Sequence, residues 1–437
     1  MKNMRRGVGS LLVAITLVLP SASEAQDKKK FVANYDEAKV PKHTLPDPLV
    51  LPGGGKITTV KEWEERGRPA TLKLITEQMY GKMPVGKPKG FKVELENEVD
   101  DALGGKAIRR EYVVSFAEGK GPRVRLLVYL PKDKVLNDEG PLPVPAFLGL
   151  NFRGNQTVEA DPRITLNEGY VLGGKKEGDN KALAEKSRGT GAGRWPAELI
   201  VSQGYALATA CCGNIDPDFD DGFKNGVHPL FTKGAPKPDE WGTISAWAWG
   251  LSRLLDAIEE IKEIDAQRVG VIGHSRLGKA SLWAGATDER FRLVISNNSG
   301  CGGAALNKRA FGETVGRINR SFPHWFNGNF KNYNENEGAL PFDQHQLIAL
   351  IAPRSVYVAS ATRDRWADPK GEFLSLVNAE AVYSLYHDAP LGFTEHPKPG
   401  RCVGRVMGYH IRDGKHDVTP EDWKHYLKFG DRWLKKQ

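Results

Sequence analysis

Two kinds of apolar pattern alternate along this chain. In the first, short uninterrupted runs are bounded by Pro, Gly or polar residues: "RVRLLVYLP" (123–131), "VPAFLGLNF" (144–152), "YALATACCG" (205–213), "RVGVIG" (268–273), "RLVISNN" (292–298) and "SVYVASA" (355–361). Runs of that length with no polar alternation suit strands covered on both faces. In the second, apolar positions recur every three or four residues, as in "GTISAWAWGLSRLLDAIEEI" (242–261), "LGKASLWAGATD" (277–288) and "PEDWKHYLKFGDRWLKK" (420–436). These predict helices, as does a stretch over about 59–79. Strands that alternate with helices imply an α/β fold with a mostly parallel sheet and helices on both faces.

Other stretches lack a period. Residues 26–58 are rich in Pro, Lys and Gly and predict an extended N-terminal arm. From Arg153 to Trp195 the chain is polar and glycine-rich, which predicts a long loop insert at about 153–195 in a catalytic domain over 59–437. At the very start, Lys2, Arg5 and Arg6 precede the apolar run "GVGSLLVAITLVLP", and the small residues Ser23 and Ala25 stand before Gln26. That is the pattern of a signal peptide over 1–25, so the expected location is secreted or periplasmic. No later run is long and apolar enough to span a bilayer, and no membrane association is expected.

The formal charge is +8 on 437 residues. A basic surface attracts acidic polymers, but there is no nucleic-acid motif and no stripe of interleaved basic and aromatic residues, so no nucleic-acid partner is expected. The cysteines are Cys211, Cys212, Cys301 and Cys402. Export permits disulfides, and a chain able to build a large core does not require them. Neither the cysteines nor the ten histidines show metal-ligand spacing, so neither metal nor cofactor is expected.

The chemistry concentrates at "GHSRLGK" (273–279), between a predicted strand and a predicted helix. In a nucleophile elbow, G-x-S-x-G, a serine sits on a strained strand-to-helix turn with its hydroxyl exposed. Here Ser275 has Gly273 two before it, while the second glycine, Gly278, comes one residue late. A serine hydroxyl needs a histidine to take its proton and an acid to hold the imidazole, and in α/β-hydrolases these follow in the order Ser, acid, His. Asp364 lies just past the predicted strand 355–361, and His416 lies on a loop before the last helix. Asp368 competes as the acid, although Pro369 after it suits a helix cap. His410 competes as the base, although "VMGYHI" reads as a strand that would pack it in the core.

"GHSRLGK" is similar to the G-C-S-R-x-G-K signature of the glucuronoyl esterases, where the late glycine is the family's own spacing. "NNSGCGGAA", "FGETVGRINRSFPHWF", "LPFDQHQLIALIAPR" and "DRWADPKGEF" resemble the bacterial branch of that family, the 4-O-methyl-glucuronoyl methylesterase-like enzymes. The resemblance implies an α/β-hydrolase that cleaves esters between (4-O-methyl-)glucuronic acid of xylan and lignin alcohols. It implies Ser275 as nucleophile, His416 as base, Arg276 at the oxyanion, and Lys279 and Trp366 on the uronate sugar. Glu313 in "FGET" is a further candidate for sugar hydroxyls, or an ordinary surface Glu; Trp366 stacks on sugar or packs a wall. Many members carry a Glu acid where this chain has Asn298, which throws that role onto Asp364. The expected partner is glucuronoxylan or a lignin–carbohydrate ester, met by a monomer. The alternatives are an acetylxylan or other carbohydrate deacetylase on the same fold, and an inactive polysaccharide-binding protein.

Overall fold

The computed structural model describes residues 1, 31–136, 142–174, 181–234 and 236–435. The expected signal peptide lies, from residue 2 on, outside the described residues. The chain divides into Met1–Val32 and Ala33–Gln437, and the fold is that of the second unit.

Among the described residues ten strands make one sheet: β1 (Lys92–Asp101), β2 (Ala107–Ala117), β3 (Lys120–Pro131), β4 (Val144–Asn151), β5 (Ala206–Cys211), β6 (Ile264–His274), β7 (Leu293–Asn297), β8 (Ser355–Ala361), β9 (Cys402–Gly404) and β10 (Met407–Arg412). Their order is β1-β2-β3-β5-β4-β6-β7-β8-β10-β9. From β5 to β10 neighbours run parallel. β1, β2 and β3 extend one side antiparallel, and β9 closes the other. Every residue of β4, β5, β7, β8 and β10 is buried, as the uninterrupted apolar runs require.

Side chains one apart on a strand point to opposite faces, and the core splits accordingly into two clusters. Leu148, Val271 and Val294 belong to one, under the helices Thr243–Ile258 and Arg276–Thr287. Phe147, Ile272 and Ile295 belong to the other, with Trp423, Tyr426 and Phe429 of the helix Pro420–Trp433. The helix Pro369–Tyr383 packs on the first face through Phe373, Leu376 and Ala379.

This layering places the chemistry. Ser275 follows β6, Asn298 follows β7, Asp364 follows β8 at a short distance, and His416 follows β10. These four strands are consecutive in the sheet, so the four residues converge at its carboxyl edge, where open α/β sheets bind ligands. Among the described residues of 153–195 there is a 3-10 turn, Asn155–Thr157, and a short helix, Lys181–Lys186. The far end of this stretch is pinned to the last helix and the loop before it: the Trp423 indole donates to the Arg194 carbonyl at 2.8 Å, and Arg194 pairs with Asp417 at 2.6 Å.

Candidate active site

Gly273 and Ser275 form a turn that few residues tolerate. Ser275 adopts φ 59°, ψ −128°, a conformation that is costly for a side-chain-bearing residue and persists only where the surroundings enforce it. Its amide donates to the Asn297 carbonyl at 2.9 Å, and its own carbonyl accepts from Gly278 at 2.9 Å and Lys279 at 3.2 Å as the helix begins. A Cβ at position 273 would stand 1.9 Å from the Leu277 carbonyl oxygen. At position 278 it would stand 3.0 Å from the Ser299 Cβ and 3.1 Å from the Gly273 oxygen. The late glycine is thus the place where the helix's first turn closes on the strand end, while Leu277 is buried in the core.

Asp364 and His416 meet: Nδ1 of the imidazole stands 2.5 Å from Oδ2 of the carboxylate. Asp364 is buried, whereas His416 is 41% exposed and lines the same two cavities as Ser275. The Asn298 amide donates to the same Asp364 oxygen at 2.8 Å. Asp368 is engaged elsewhere, capping the helix Pro369–Tyr383 through the Gly371 amide and accepting from Arg309 at 2.8 Å. His410 is fully buried between the Tyr357 hydroxyl and Asp422, each at 2.9 Å.

Arg276 is fixed by its surroundings. Its guanidinium pairs with Asp218 and lies over the rings of Trp325 (4.6 Å) and Phe322 (5.0 Å). Asp218 also accepts from the Trp325 indole at 2.8 Å and contacts His324 at 3.2 Å. Burial pushes the Asp218 carboxyl up, but His324, Arg276 and Trp325 outweigh it and hold the group below its ordinary value. Lys279 is buried and donates to the carbonyls of Ser299 and Cys301, the latter at 2.6 Å, with Glu313 3.9 Å away. Glu313 is buried too and is hydrogen-bonded to the Trp366 side chain. Burial moves both toward neutrality, Lys279 down and Glu313 up, each against the pull of the other.

Two cavities meet at Ser275, Arg276 and His416. One, of about 390 Å³, is lined by Lys279, Glu313, Trp325 and Trp366. The other, of about 610 Å³, is lined by Phe152, Leu172, Arg194 and Trp195. The sequence reading passes over three residues that complete the centre. Asp218 lies far from the motif in sequence and carries no local signal, while Trp325 stands in the family-like stretch "FGETVGRINRSFPHWF" without being singled out there. His274, inside the motif, donates to or accepts from Asn297 at 2.7 Å, with its ring 4.5 Å from that of His416. Burial, then the charges of His416 and Arg194, push it well below its ordinary value, so it stays neutral beside the base. Among the described residues no group of His, Cys, Asp and Glu could hold a metal, and the four cysteines are free thiols. No helix among them is long and apolar enough to cross a membrane.

Sheet and elbow define an α/β-hydrolase. Comparison with known proteins narrows this. Residues 230–386 match the family model for glucuronyl esterase of fungi. A carbohydrate esterase of an unknown prokaryotic organism is 49% identical over 97% of both chains. A 4-O-methyl-glucuronoyl methylesterase of Cerrena unicolor is 36% identical over 80% of this chain and 63% of its own. The solved glucuronoyl esterase of Solibacter usitatus superposes with a TM-score of 0.84 at 46% identity, covering 91% of this chain and 99% of that one. This chain belongs to the glucuronoyl esterase family and is a carboxylic ester hydrolase.

Proposed function

We propose that Ser275, His416 and Asp364 form the catalytic triad of an exported esterase acting on (4-O-methyl-)glucuronate esters of glucuronoxylan with lignin alcohols. The observation that carries the reading is the 2.5 Å contact of Asp364 with His416 at the mouth where both cavities reach Ser275. Asp364 accepts from Nδ1 and leaves Nε2 to take the Ser275 proton as the hydroxyl attacks the ester carbonyl. The developing oxyanion is stabilised by the Arg276 amide and the guanidinium that Asp218 and Trp325 hold in place. His416 then gives its proton to the departing alcohol, and water repeats the sequence on the acyl-enzyme.

The smaller cavity takes the sugar. Lys279 and Glu313 address its hydroxyls, and Trp366 offers an apolar ring face. The larger cavity receives the alcohol. Buried charged groups in the acyl-side cavity are a poor fit for acetyl, which disfavours the deacetylase alternative, and an acid in contact with His416 disfavours an inactive binding protein. The reading includes a signal peptide over 1–25, an arm over 26–58, a catalytic domain over 59–437 with its insert at 153–195, and a monomer that needs no metal, nucleic acid or membrane.

The test is a matched assay on benzyl glucuronate, benzyl galacturonate and acetylated xylan. Benzyl glucuronate is cleaved, the galacturonate rate gives the selectivity between the two sugars, acetate release is slight, and Ser275→Ala loses roughly 10³-fold or more in turnover. Faster acetate than benzyl alcohol release overturns the assignment of substrate; an active Ser275→Ala enzyme overturns the triad.

A further inference from the structure

Behind the centre lies a carboxyl group that the mechanism leaves unused. Glu372, on the helix Pro369–Tyr383, is fully buried. One of its oxygens accepts from the Ser299 amide (2.7 Å), the Gly300 amide (3.0 Å) and the Ser299 hydroxyl (3.3 Å). The other meets the Ser360 hydroxyl at 2.5 Å, on β8 just before Asp364.

The turn that Glu372 grips passes through positive φ on both sides of Ser299: Asn298 has φ 47° and Gly300, where glycine allows it freely, φ 61°. A non-glycine residue in this region costs free energy and stays there only where its neighbours over-determine it. Two functional contacts depend on the turn. Its first residue, Asn298, carries the amide that meets Asp364, and its second, Ser299, supplies the carbonyl that holds Lys279. We infer that Glu372 is a positioning residue, one buried carboxyl that sets the geometry of the acid on one side of the scissile bond and of the sugar-binding ammonium on the other. It touches no substrate and acts through Asn298 and Ser299.

Burial pushes the Glu372 carboxyl up to about 8, against the hydrogen bonds from Ser360 and Gly300 and with the help of the Asp364 charge. The acid form is thereby favoured at neutral pH, its carbonyl oxygen accepting from the turn and its other oxygen meeting the Ser360 hydroxyl. Glutamine reproduces that pattern, and leucine of similar size does not.

This inference rests on the proposed roles of Asp364 and Lys279, and two esters separate the two dependencies. Benzyl glucuronate reads triad and sugar contacts together; p-nitrophenyl acetate, which has no sugar, reads the triad alone. Glu372→Leu should lower kcat about tenfold or more on both esters and raise KM only on the glucuronate, while Glu372→Gln should keep most of both. Should Glu372→Leu not fold, Glu372→Asp takes its place, because one methylene fewer withdraws the oxygen from the Ser299 and Gly300 amides. A folded leucine or aspartate variant with wild-type kcat and KM on both esters overturns the inference, and so does a glutamine variant no better than leucine. Ser275→Ala is run alongside; if it stays active, the triad reading fails whatever Glu372 does.

Discussion

At the scale of single residues, the acid of the triad is the decisive assignment. Asp364 is buried and accepts from both His416 and Asn298 on one oxygen. Removing the carboxylate takes away a charge that matters only once the imidazolium forms. Asp364→Ala should therefore lower kcat roughly 10²-fold or more and leave KM near its starting value. Unchanged turnover would return the role to another residue. Position 298 is more than a vacancy in the family's pattern, because its amide donates to the carboxylate proposed as the acid. Deleting one hydrogen bond to a charged group costs about 1.5–3 kcal/mol, so Asn298→Ala should lose about ten- to a hundredfold in kcat with KM held. Turnover equal to wild type would show that Asp364 needs no second donor. The proposed triad of Ser275, Asp364 and His416 can be nominated from the chain because chain order and strand ends constrain where a triad sits. The function of Asn298 cannot be read there, since it depends on two strand ends lying side by side, which no local pattern records.

Among the elements, the elbow shows why a glycine sits one residue later than the general motif asks. Position 273 faces the Leu277 carbonyl at a distance no Cβ can occupy, whereas position 278 faces Ser299 and the Gly273 oxygen at a separation that small shifts relieve. Gly273→Ala should thus destabilise the fold by about 3 kcal/mol or more and abolish activity, and Gly278→Ala should cost about 1 kcal/mol. Thermal unfolding checks the order, and equal costs at both positions would sink the explanation. The buried strands β4 to β8 were readable from their apolar runs. Missing from that reading were β1 and β2. β1 is a charged edge strand, "KVELENEVDD", with no residue buried, and such charge blunts an edge against pairing with other chains. β2 hides Arg109 and Glu111 in its interior, paired with Asp161 and with Thr165. Charged residues at inward positions break the apolar run on which strand recognition depends.

For the whole molecule, carboxyls and imidazoles buried at the site and elsewhere in the fold make stability depend on pH in opposing ways. Burial pushes His345 down to about 4 and His274 well below its ordinary value of 6.5. Below that value the unfolded chain binds protons that the fold refuses, so these groups lose stability as pH falls from 6.5 toward their folded values. Burial pushes Glu372 the other way, from 4.5 to about 8, and Asp343 from 3.8 to about 6. Between 4.5 and 8 the folded state keeps a proton at Glu372 that the unfolded chain releases, so stability falls as pH rises, by at most about 1.4 kcal/mol per pH unit for one proton. By pH 7.5 the histidines are largely neutral in both states and Asp343 is largely ionised, which leaves Glu372 as the main source of slope among these four. Glutamine at 372 carries no titratable proton. Between pH 6.5 and 8 the unfolding midpoint of wild type should therefore fall relative to that of Glu372→Gln, all other titrations being common to both. Parallel curves for the two proteins would mean that Glu372 is already ionised in the fold, and the glutamine would then no longer mimic the group it replaces.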